Sequence, residues 1–81
     1  MTRMLASETD DKDIPEHRKR FAANFRKARQ RAGMTQRDVC EAAEMTQPYL
    51  SEVERGLSNI SYDSMEKLAA VVGQPLWKLL K

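Results

Sequence analysis

Apolar and polar residues alternate along this chain with the rhythm of short helices. From Glu16 to about Ala32, Phe21, Phe25, Ala28 and Ala32 recur at steps of four, three and four, which is one apolar stripe on an amphipathic helix. Pro15 suits the first turn of that helix, and Asp13 is a candidate cap before it. Gly33, able to take positive φ, stops it. Thr35 is a candidate N-cap for a second helix, with Asp38 three residues on as in a capping box, and this helix runs to about Ala43. Glu44-Met45 makes a turn. Thr46 caps a third helix, which carries Pro48 in its first turn, runs to about Arg55 and stops at Gly56. Leu57 and Ile60 tuck inward from the loop that follows. Ser61 or Tyr62-Asp63 opens a fourth helix with Met65, Leu68, Ala69 and Val72 on its apolar side, closed by Gly73. Pro75 starts a last short helix over Leu76–Lys81. The pattern holds no strand and no internal repeat, so the expected class is all-α with five helices.

The second and third helices carry the most information. Val39, Cys40, Ala43, Met45, Leu50 and Val53 are spaced so that two short helices cross over one small core. Gln47, Ser51 and Glu52 are left on the outer face of the third helix. This is the pattern of a helix-turn-helix that lays its second helix in the DNA major groove.

Charge strengthens that picture. Net charge over the 81 residues is only +2, but it is unevenly spread. Residues 1–14 carry Arg3 and Lys12 against Glu8, Asp10, Asp11 and Asp13, and read as a flexible acidic tail. Residues 15–81 form the folded domain. Between His17 and Arg31 stand Arg18, Lys19, Arg20, Arg26, Lys27, Arg29 and Arg31, with no acidic residue among them. Such clustering favours a polyanionic partner, and its plainer reading is a solvated helix face.

Composition excludes several classes. At 41% hydrophobic residues the chain is globular, and 81 residues make one small domain. No apolar run approaches the ~20 residues that span a bilayer, and the N-terminus has no signal-peptide core. A cytoplasmic location without membrane contact is the default. The single Cys40 forms no internal disulfide and builds no zinc site with the single His17, so it reads as a small buried helix residue. One His, one Cys and no glycine-rich phosphate loop do not make an enzyme. No cofactor, metal or small-molecule ligand is expected.

The strings Met34-Thr35-Gln36 and Gln47-Pro48-Tyr49-Leu50-Ser51-Glu52-Val53-Glu54-Arg55-Gly56, in a chain with five helices, resemble the Cro/CI family of repressors, also called the XRE family. The resemblance covers about residues 17–81. Ser58-Asn59-Ile60-Ser61 and the short length are similar to its stand-alone regulators, among them the controller proteins of restriction–modification systems. One departure lies at Glu44, where the family often has Gly. A residue there adopts positive φ, at ~1 kcal/mol for a side chain.

The resemblance implies a homodimer on palindromic double-stranded DNA. It implies that Gln36, at the start of the second helix, binds phosphate, as does the helix N-terminus itself. Gln47 corresponds to the glutamine that reads an adenine edge. Pro48 replaces a polar reader and makes its contact apolar. Ser51 and Glu52 lie one turn on. Glu52 either accepts from a cytosine N4 or repels phosphate. Tyr49, Arg55, Ser58 and Asn59 are implied to contact phosphate, and Arg37 is a phosphate contact or a solvated charge. Arg29 and Glu54 match an arginine and a glutamate that form a partly buried ion pair in the phage repressors, so their role is structural.

Leu76, Trp77, Leu79 and Leu80 are too many apolar groups for a terminal helix on one small core, and Leu76, Trp77 and Leu80 are assigned to dimerisation. The alternative is that all of them pack inward. A two-fold dimer presents its recognition helices about 34 Å apart, one turn of DNA. The competing function is an antitoxin or protein-interaction module, in which the acidic tail binds a basic partner surface or screens the basic first helix.

Overall fold

The structure is a computed structural model that describes residues 14–81. Five helices follow in order: α1 Glu16–Arg31, α2 Gln36–Ala43, α3 Gln47–Glu54, α4 Tyr62–Val71 and α5 Leu76–Leu79. No strand occurs among the described residues. α1 packs on α3 and α5, α2 on α3 and α4, and α4 on α5. One core results, built around Phe21, Phe25, Val39, Leu50 and Leu68, with Phe21 and Phe25 stacked at a ring separation of 5.9 Å.

Local chemistry sets the boundaries. The α2 capping box is complete. Asp38 N–H donates to Thr35 Oγ1 at 3.0 Å, and Thr35 N–H donates to Asp38 Oδ2 at 2.9 Å. The Thr35 backbone N–H and the Thr35 hydroxyl, with Arg37 beside it, hold the Asp38 carboxyl below its ordinary range. Thr46 Oγ1 accepts from Tyr49 N–H, and Ser61 Oγ from Ser64 N–H, so α3 and α4 are capped in the same way. α2 ends at Glu44, which takes the left-handed conformation at φ 59°. It is the one residue other than glycine with positive φ among those described.

Three expectations are corrected. Ala32, in phase with the α1 stripe, is exposed, because it is the C-cap where the chain leaves the helix. Ala22 is buried instead, on a neighbouring face of α1. Leu76, assigned to a dimer surface, is core: it and Leu79 are both buried within the chain. The acidic tail and its Asp13 cap lie outside the described residues, except for Ile14. That residue is buried beside Gly56, whose φ of +77° turns the chain after α3 close beneath it. Pro15 takes the N-cap place and offers no side-chain bond.

Candidate nucleic-acid interface

α3 divides cleanly between its two sides. Leu50, Val53 and Glu54 face inward and are buried. Gln47, Pro48 and Glu52 are exposed, and Ser51 and Tyr49 are half-buried, Tyr49 leaning on the core. Pro48 costs no backbone bond there, because first-turn N–H groups lack an intrahelical acceptor.

Glu54 is the one buried charged residue among those described, and its carboxylate holds the site together. Arg29 Nε donates to Oε2 at 2.6 Å and Nη2 donates to Oε1 at 3.1 Å, a two-pronged bond from α1. Arg29 Nη1 also donates to the Met34 carbonyl at 2.9 Å, fixing the turn before α2. A third donor was not legible in the sequence: Gln36 Nε2 gives Glu54 Oε1 a bond of 3.1 Å. Three helices therefore meet on two oxygens.

This geometry revises some of the residue roles. One amide hydrogen of Gln36 is committed to Glu54. The amide carries a second hydrogen that this bond does not use. Ser58 Oγ donates to Glu52 Oε1 at 3.0 Å, so two residues expected to touch DNA separately are bonded to each other. A phosphate contact by Ser58 requires that bond to break. Asn59 and Arg55 are exposed. Arg37 faces Glu41 one turn on at 3.5 Å, with both side chains well out in solvent, and such a pair contributes little.

An open groove of about 580 Å³ runs beside the end of α3, lined by Lys19, Arg26 and Arg55 over Ile14 and Leu57. Lys19 and Arg26 are seven residues apart on α1 and so share a face. That spacing was legible, but the crossing of Arg55 opposite them was not. In α5 Trp77 is 60% exposed, with the ammonium groups of Lys78 and Lys81 at 5.8 and 5.6 Å from its ring centre. Leu80 is half-buried. Cys40 is buried in α2, and burial pushes its thiol up from the ordinary value, with Glu54 and Glu41 adding to the effect. Among the described residues no group of three or more His, Cys, Asp or Glu is gathered for a metal. No described helix is long and apolar enough to cross a membrane.

The family model described as helix-turn-helix matches residues 25–76, from the middle of α1 to the start of α5. The chain belongs to the helix-turn-helix family. Its helix-turn-helix is of the XRE type, as the motif strings imply. A curated relative, the HTH-type transcriptional regulator DdrOP3 of Deinococcus deserti, is 34% identical over 62 residues. That alignment takes in 76% of this chain and 48% of the relative, so the chain spans about half the length of the relative it matches. Among solved structures, the restriction–modification controller protein C.AhdI from Aeromonas hydrophila is similar with TM-score 0.71 and 26% identity, over 75% of this chain and 92% of that one. SinR, a master regulator for biofilm formation solved in complex with DNA, is similar with TM-score 0.70 and 29% identity, over 75% of this chain and 98% of that one.

Proposed function

We propose that this helix-turn-helix chain is a transcriptional regulator that binds a palindromic DNA operator as a homodimer, with α3 in the major groove. The observation that carries the reading is the polar outer face of α3, held rigid from behind by the Arg29–Glu54–Gln36 cluster. A side chain reads a base edge only if the helix beneath it is fixed. Gln47 pairs with adenine through its amide, Pro48 packs on a thymine methyl, and Ser51 and Glu52 address the next base pairs. The N-terminus of α2 at Gln36 and Arg37, with Tyr49, Arg55, Ser58 and Asn59, positions the domain on phosphates. Arg55 supports this by opening onto a groove shared with Lys19 and Arg26. Trp77 and the exposed part of Leu80 form the two-fold contact, without Leu76, and bring two recognition helices about one DNA turn apart. The SinR likeness supports DNA as the partner class.

The test is selection of bound fragments from a random duplex library at moderate salt. The expected result is a two-fold symmetric motif with half-sites about one turn apart. Salt-sensitive bulk binding with no enriched motif would refute the reading and favour a protein-interaction role.

A further inference from the structure

A second groove, of about 360 Å³, lies between α1 and α5. Asn24, Lys27, Ala28 and Arg31 form its α1 wall, at the spacing of one helix face. Arg29, which reaches α3, stands roughly 150° round the helix from that face at 100° per residue. The groove is thus separate from the recognition helix. Lys78 and Lys81 line the opposite wall, so four cations surround the opening and no acidic side chain lines it. Asn24 Nδ2 donates to the Leu79 carbonyl at 3.0 Å and fastens the two walls together. Trp77 holds both lysine ammonium groups over its ring, beside the groove. All four cationic side chains belong to exposed residues.

We infer that this groove takes the phosphate backbone of DNA lying outside the half-site read by α3. The inference rests on the DNA reading above. Four clustered like charges repel one another, and a polyanion relieves that repulsion while releasing its own counterions. Three of the four are lysines, which protein–protein interfaces avoid and DNA interfaces use freely. Continuity points the same way. Arg31 ends α1, and a short turn leads directly to the anion-binding N-terminus of α2.

The experiment measures affinity against salt for two duplexes, using the full chain and its double variant Lys27→Gln/Arg31→Gln, which changes the α1 wall and leaves the lysines over Trp77 in place. One duplex is the selected site trimmed to its half-sites, and the other carries about ten further base pairs on each side. The expected result is a steeper log K against log salt slope on the longer duplex. The double variant should flatten that slope by about 3.6, near 0.9 per phosphate contact for two contacts in each of the two protomers, and leave the short duplex unchanged. Equal slopes on both duplexes, or equal losses on both, would overturn the inference. So would binding of poly-glutamate that the double variant abolishes, without any dependence on duplex length, because the groove would then belong to an acidic protein. If Gln47→Ala loses discrimination between selected and scrambled duplexes while length has no effect, the α3 reading stands and the groove inference alone falls. If selection yields no motif, there is no half-site for DNA to flank, and the groove inference falls together with the α3 reading.

Discussion

Replacing Arg29 by Met removes two of the three donors on a carboxylate whose side chain is 3% exposed. Met fills much of the same volume, so the loss is electrostatic and not a cavity. Glu54 keeps only the Gln36 amide, and water has little access to the orphaned oxygen. Breaking one partner of a buried pair costs about 3–5 kcal/mol. The Met34 carbonyl loses its Arg29 bond as well, but it lies at a half-buried turn where water replaces it. A single core in a domain this small rarely supplies more than about 3–5 kcal/mol. Arg29→Met is therefore expected to leave the chain largely unfolded, with Tm lowered by ~12 °C or more. Urea titration followed by circular dichroism and Trp77 fluorescence measures it, with trimethylamine oxide added to shift the equilibrium toward the fold if the baseline is lost. The double variant Arg29→Met/Glu54→Leu is the control. It removes the charge with its partner and should recover to within about 1 kcal/mol of the parent or exceed it. If Arg29→Met alone stays within about 1 kcal/mol of the parent, Glu54 is not the keystone described here.

Three further outcomes are expected. Glu44→Gly should stabilise the fold by about 0.5–1 kcal/mol, since relief of the left-handed strain at φ 59° outweighs the added freedom of the unfolded chain; a lower Tm would refute strain at that turn. Cys40, its thiol raised by burial, should react with an aromatic disulfide only as fast as the domain opens, and rapid native labelling at pH 8 would contradict its burial. Because the folded thiol holds its proton longer than the unfolded one, its stability contribution is intact below the unfolded value near 9.0 and is lost as pH rises through the folded value. The Asp38 carboxyl is shifted the opposite way, so its cap contribution is present above the ordinary value of 3.8 and is lost as pH falls through the lowered one; a Thr35→Ala variant should show a weaker loss across that window in acid titration.

How much of this was legible in the sequence depends on whether a residue's partner is local. The caps at Thr35 and Thr46 act within three residues and the structure has both, and of Ser61 or Tyr62-Asp63 it selects Ser61 to open α4. The apolar rhythm located every helix, because a 3.6-residue period needs no knowledge of the neighbour. It failed at Ala32, where the phase is right but the helix has already ended. It was ambiguous in α5, where Leu76 with Leu79 and Trp77 with Leu80 are both three apart, so either pair can face the core. The contact with α1, including the Asn24 bond to Leu79, selects the first pair. Gln36 reaching Glu54 and Ser58 reaching Glu52 are side-chain choices made across a turn, for which a single sequence carries no signal.

Apart from Tyr49, which is half-buried and leans on the core, the two sides of α3 share no residue. Support comes from Leu50, Val53 and Glu54, while Gln47, Pro48, Ser51 and Glu52 are borne outward and carry little of the fold's weight. On the proposed reading of α3, stability and address are written on separate letters of one eight-residue word. Outer letters can change without loosening the helix that displays them, so if α3 reads DNA as proposed, a descendant of this chain reaches a new target by exchanging three or four side chains while its scaffold stays under unaltered selection. The same partition makes α3 a site for rewriting specificity by design, with positions 50, 53 and 54 held constant.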